Sequence, residues 1–157
     1  MKTILIQVGK TTSKDFQVII DDYTSRVKHY CQFDIVTIPE LKNTKALSQE
    51  QQKHQEGELI LKQLQDSDYV VLLDEHGKEF RSIELASWIK KKQQTVSRNL
   101  IFIIGGPYGF SPEVYQRANE KLSLSKMTFS HQMIRMIFIE QLYRAYTIIR
   151  GEQYHHE

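Results

Sequence analysis

Short β-branched apolar runs alternate with longer amphipathic segments along the whole chain. That alternation limits the fold more than any other feature of the sequence. An apolar run of five or six residues bounded by glycine, proline or polar turns suits a strand buried on both faces. Apolar residues spaced by three and four suit a helix laid across such strands. Residues 3–8 (TILIQV) form the first run and end at Gly9; residues 33–38 form the second and stop at Pro39. Residues 69–73 and 100–104 supply a third and a fourth. Between the first two, Phe16, Ile19, Ile20, Tyr23, Val27 and Tyr30 mark one face of a helix, with Thr12 as the expected N-cap and Asp15 three residues on.

Residues 44–65 are mostly polar and predict a helix with one thin buried stripe through Leu47, Ile60, Leu61 and Leu64. Residues 82–96 predict another, with Leu85, Trp88 and Ile89 inward. Ser111, Pro112 and Glu113 have the order of N-cap, first-turn proline and first-turn acid that opens a helix. A short segment, 122–129, then leads into a last helix over about residues 131–149. Strand and helix in turn predict an α/β fold, a single domain over 1–157, with a mostly parallel sheet flanked by helices.

The last helix is apolar nearly all round, from Met133 and Ile134 through Phe138, Ile139, Leu142 and Tyr146 to Ile149. A terminal helix covering one side of a sheet needs a single stripe. The second apolar face therefore predicts a homodimer.

Composition excludes several classes. With 40% hydrophobic and 25% charged residues in 157, the chain can bury one core and is neither disordered nor collagen-like. No stretch reaches the roughly 18–20 uncharged apolar residues of a membrane span. Cys31 is the single cysteine, so no disulfide framework or thiolate metal cluster is expected, and the default location is cytoplasmic. Residues 1–80 carry 10 Lys and Arg against 13 Asp and Glu, whereas 81–157 carry 11 against 6. A basic C-terminal half suits a phosphate-rich partner without establishing one.

Ligands of parallel α/β sheets bind beyond the carboxyl ends of the strands. Three loops there have a suitable character: 74–78 (DEHGK), 105–109 (GGPYG) and 124–129 (LSKMTF). The glycines do not have dinucleotide-fingerprint spacing and no phosphate-binding P-loop is present. Neither a G-x-S-x-G nucleophile motif nor a zinc-ligand spacing occurs. His131 stands where loop becomes helix, with Arg135 one turn on, and Tyr154-His155 lies at the C-terminus. Residue by residue, the chemistry stays open.

Taken in series, LDEHGK (73–78), IGGPYG (104–109), LSLSKMTFSH (122–131), Arg135, EQLYRA (140–145) and Tyr154-His155 resemble the ribosomal RNA large-subunit methyltransferase H family. These are pseudouridine N3-methyltransferases of the trefoil-knot (SPOUT) class. The likeness spans the whole chain and implies a knotted fold, an exception to unthreaded topology. It implies S-adenosyl-L-methionine as cofactor, bound by Leu73, Gly105, Gly106, Leu124, Ser125, Lys126, Met127, Thr128 and Phe129. It implies a homodimer in which the partner's tail completes the site, acting on 23S rRNA within the assembled ribosome, with no metal and no membrane. The catalytic residues it implies are His131 or His155 as proton acceptor, Arg135 beside developing negative charge, and Tyr154 against the base. The family often has proline before this tyrosine and a basic residue after the histidine; here they are Gln153 and His156. Alternatives are a knotted methyltransferase of another RNA, which need not deprotonate a base, and a non-catalytic ribosome- or RNA-binding dimer.

Overall fold

A computed structural model describes residues 1–157. Five strands form one sheet: β1 (Lys2–Val8), β2 (Gln32–Ile38), β3 (Tyr69–Glu79), β4 (Asn99–Ile104) and β5 (Glu120–Ser123). Their order is β2-β1-β4-β3-β5, and every neighbouring pair is parallel. The helices are α1 (Lys14–Lys28), α2 (Gln49–Lys62), α3 (Ser82–Thr95), α4 (Pro112–Arg117) and α5 (Met133–Ile149). The expected α/β class and parallel sheet are both present.

Because β3 and β4 are covered on both faces, their side chains divide between two cores. Val71, Phe102 and Ile104 pack toward α1, α3 and α5, with Ile20, Leu85, Ile89, Phe138, Ile139 and Leu142. Val70, Leu72, Ile101 and Ile103 pack toward α2 and α4, with Ile60 and Val114. A near-continuous apolar strand sequence is what burial on both faces requires.

Several local expectations change. Ser13, not Thr12, caps α1: its hydroxyl accepts from the Phe16 N–H, while the Thr12 N–H is taken by the Gln132 side chain at 2.9 Å. Ile19 is 42% exposed, because α1 turns Ile20 and Val27, with the half-buried Tyr23, toward the core instead. The segment 44–65 is not one helix. A 3₁₀ turn (Thr44–Ala46) comes first, and Ser48 then starts α2 through a reciprocal capping box with Gln51. Residues 74–79 continue β3 past a register irregularity rather than forming a free loop. The short segment after α4 contains a fifth strand. Its four residues are too few to show a period, and pairing with β3 is what defines them.

The path after β5 positions the site. The chain leaves the far edge of the sheet, returns across the carboxyl ends of β3 and β4, and begins α5 beside the end of β1. Gln132 fixes that arrival by accepting from the Thr12 N–H and donating to the Lys10 carbonyl at 3.1 Å. Arg135 is fully buried and donates to the Val8 carbonyl at 2.8 Å and the Thr11 hydroxyl at 3.0 Å. At the far end of α5, Gly151 at φ +70° carries the chain out of the helix, with the Glu152 N–H bonding the Thr147 carbonyl.

Arg135→Ala leaves a cavity and an unpaired carbonyl at the end of β1. It is expected to lower stability by about 2–4 kcal/mol, measured by denaturant unfolding at fixed protein concentration.

Candidate active site

Three stretches converge where the returning chain crosses the sheet: 73–76 from β3, 104–110 after β4, and 124–134 entering α5. They enclose a cleft of about 560 Å³. Leu73, Ile104, Leu124 and Ile134 give it apolar walls, while Asp74, Glu75 and His76 supply its polar lining on the β3 side. Thr128 ties the crossing segment to that side, its hydroxyl donating to the Glu75 carboxylate at 2.6 Å. Tyr115 of α4 closes another part and donates to Asp74. Burial, followed by the hydrogen bond to Asp74 and its charge, raises the Tyr115 phenol well above its ordinary range, so it remains a donor at any working pH.

Most residues expected at a cofactor site meet here: Leu73, Gly105, Gly106, Leu124, Ser125, Met127, Thr128 and Phe129 line the cleft, with His131. Lys126 does not; its ammonium lies 3.6 Å from Glu79, outside the wall. Arg135 does not reach the cleft either. Its guanidinium is spent on Val8 and Thr11, so in this chain it anchors α5 and is closed to a substrate.

Tyr154 and His155 are brought together, but against their own α5. The Tyr154 hydroxyl bonds Glu140 at 3.0 Å and faces the Tyr23 hydroxyl at 3.2 Å. Desolvation, then the hydrogen bonds with Tyr23 and Glu140, raises the Tyr154 phenol pKa well above its ordinary range, so the hydroxyl keeps its proton. Arg144 reaches His155 Nδ1 at 3.1 Å and Glu140 at 2.6 Å. Neither tail residue lines the cleft of its own chain.

Nothing in the sequence pattern marks Glu56 as a residue of the site. It lies on the polar helix α2, yet is 5% exposed and sits behind Gly106. A carboxylate in a polar run looks solvated. Only the adjacent Gly57, unusual inside a helix, hinted at close packing there. Burial, and then the charge of Glu40, raises the Glu56 carboxyl above its ordinary range despite the opposing hydrogen bond from Gln52. A carboxyl raised in the folded state costs stability that builds as pH rises above the unfolded value and is complete above the folded value. The penalty vanishes below the unfolded value, where both states are protonated. Glu56→Gln is therefore expected to raise the thermal midpoint at pH 8 relative to the parent, with the difference closing toward pH 4, read by calorimetric scans across pH.

Sheet order, crossing segment and cleft define the class. The family model described as "Predicted SPOUT methyltransferase" matches residues 1–155, and the chain belongs to the SPOUT methyltransferase family. It is an enzyme of methyl transfer. Similar curated proteins carry the name "Ribosomal RNA large subunit methyltransferase H". The one from Phocaeicola vulgatus is 64% identical over 157 residues, covering all of both chains. That from Bacteroides thetaiotaomicron is 62% identical over the same span, and that from Flavobacterium johnsoniae 53%, again with full coverage of both.

Proposed function

We propose that this chain methylates N3 of a pseudouridine in 23S rRNA on the assembled cytoplasmic ribosome, as a homodimer using S-adenosyl-L-methionine. One observation carries the reading: three separate stretches wall a single cleft, in a chain similar end to end to proteins named as ribosomal RNA methyltransferases. The path of residues 124–132 across the ends of β3 and β4 supports threading of the C-terminal segment as a trefoil knot.

The cleft residues fit the cofactor. At about 560 Å³ the volume suits a nucleoside-sized ligand. Leu73, Ile104 and Leu124 offer apolar contact for an adenine ring. The backbone of Gly105, Gly106 and residues 124–129 offers hydrogen bonds, and Asp74 and Glu75 complement a cation. When bound, S-adenosyl-L-methionine supplies a methyl group activated on a sulfonium. The protein's own part is to align that methyl with the attacking nitrogen; alignment alone can supply on the order of 7–11 kcal/mol.

N3 loses a proton as its bond to carbon forms, and an imidazole is the natural acceptor near neutral pH. His131 lines the cleft of its own chain. His155 reaches a cleft only across a twofold assembly, with Tyr154 placed to stack on or bond the base. The half-buried apolar row of α5, including Met133, Met136, Ile137 and Tyr143, supports such an assembly. Arg135 enters this mechanism as the anchor of the helix that follows His131. A formal net charge of +2 gives little electrostatic grip on isolated RNA, which favours recognition of the whole ribosome.

Calorimetry is expected to show S-adenosyl-L-methionine binding. Mass spectrometry of 23S rRNA from a deletion strain should lack one methylated pseudouridine, restored by the purified protein on ribosomes far better than on naked rRNA. Equal rates on both substrates, or an unchanged rRNA, contradict the proposal. Replacing the proton acceptor, by His131→Ala or His155→Ala, should lower kcat about a hundredfold or more with cofactor affinity unchanged. Retention of full turnover by both variants removes histidine from the mechanism.

A further inference from the structure

Glu56 occupies a place that stability alone does not favour. Its carboxyl is nearly sealed from solvent and forms no ion pair with any lysine or arginine. Its side-chain hydrogen bond comes from Gln52, 3.1 Å away on the same helix. An apolar side chain of similar volume would fill the space at lower cost, since a buried carboxyl without a cation carries its full desolvation penalty.

The geometry around it is tight and specific. A Cβ on Gly106 would lie 2.4 Å from Glu56 Oε1 and 2.9 Å from both Cδ and Oε2. Gly106 does not have positive φ, so glycine is required there for space and not for backbone conformation. The next helix residue repeats the close approach. A Cβ on Gly57 would lie 2.4 Å from the hydroxyl of Ser111, the buried N-cap of α4. Helix α2 thus touches the 105–111 loop at both ends. Gly57 seats the helix against Ser111, and the seated helix holds the Glu56 carboxyl on the outer side of Gly106. Gly106 itself lines the cleft.

We infer that Glu56 is a positioning residue of the methyl-donor site, bracing the Gly105-Gly106 turn from behind through the backbone of Gly106. The inference rests on the proposal that this cleft binds S-adenosyl-L-methionine. Glutamate and glycine specify each other: the carboxyl fills the space a side chain at 106 would need, and the bare Gly106 backbone takes its shape from the carboxyl.

The test is a double-mutant cycle read as the Kd for S-adenosyl-L-methionine by calorimetry, with thermal midpoints recorded alongside. The parent protein comes first; absence of binding there overturns the reading of the cleft and the inference with it. Given parental binding, Glu56→Ala should weaken affinity about tenfold while the chain stays folded, and Glu56→Gln, which keeps the shape, should stay within about threefold. Glu58→Ala, an exposed neighbour, should bind as the parent does. Gly106→Ala should cost about tenfold or more beside Glu56 but little beside Ala at 56, because the clash has gone. Should Glu56→Ala fail to fold, Glu56→Asp, which withdraws the carboxyl by one methylene, should give the same relief of Gly106→Ala. Parental affinity in folded Glu56→Ala, or an equal cost of Gly106→Ala in both backgrounds, overturns the inference.

Discussion

The buried guanidinium of Arg135 is the joint on which the site depends. The chain from β5 to α5 must cross the open ends of two strands with no strand partner of its own, and what fixes its far end is the attachment of α5 to β1. Arg135 makes that attachment from inside the core, spanning the Val8 carbonyl and the Thr11 hydroxyl, while Gln132 repeats it at the surface with Lys10 and Thr12. Burial weakens the hold of the guanidinium on its proton, and the charge of Glu40 offsets part of that loss. An arginine does not deprotonate in practice, so its buried charge requires the bonds to Val8 and Thr11, the Nε having no partner. The requirement gives the crossing segment a defined course, and with it one wall of the cleft.

The other walls are held from the opposite face of the sheet. There α2, whose sequence looks like a solvated helix, presses Glu56 and Gly57 against the loop after β4. The cleft is thus set between two anchors on different faces, Arg135 on the α5 side and Glu56 on the α2 side. Glu56 is a carboxyl placed where an apolar side chain would cost less, and Arg135 is a buried cation held by a backbone carbonyl and a hydroxyl rather than by a carboxylate. Buried polar groups of this kind fix one arrangement among several of similar packing energy, and a transfer reaction that relies on alignment needs a single arrangement.

The tail obeys a different logic. Tyr154 and His155 are well packed, yet through rings and ion pairs on α5 and α1: Tyr143 edge-on to Tyr154, with Arg144 over its ring. Such a surface combines aromatic faces with guanidinium groups, which suits contact with another macromolecule as well as with its own helix. It also explains why these residues stand apart from the cleft in one chain.

Periodicity and run length alone determined the α/β class, four of the strands and most of the helices, because each depends on short-range apolar patterning; the division of residues 44–65 and the continuation of β3 through residues 74–79 did not follow from it. The loop motifs also carried the family resemblance, and eight of the nine expected cofactor residues do line one cleft. Only the tertiary structure decided the fifth strand, whose four residues exist as a strand through pairing with β3. Tertiary contacts also turned Arg135 inward to β1, left Ile19 exposed and moved the cap of α1 to Ser13. Glu56 is the clearest case: within a run such as Gln55-Glu56-Gly57-Glu58, charge suggests solvent, and only the approach of a loop some fifty residues away makes that one carboxyl a buried one. Local pattern records what a residue prefers when its surroundings are average, whereas burial is set by neighbours distant in sequence, and those are known only once the chain has folded.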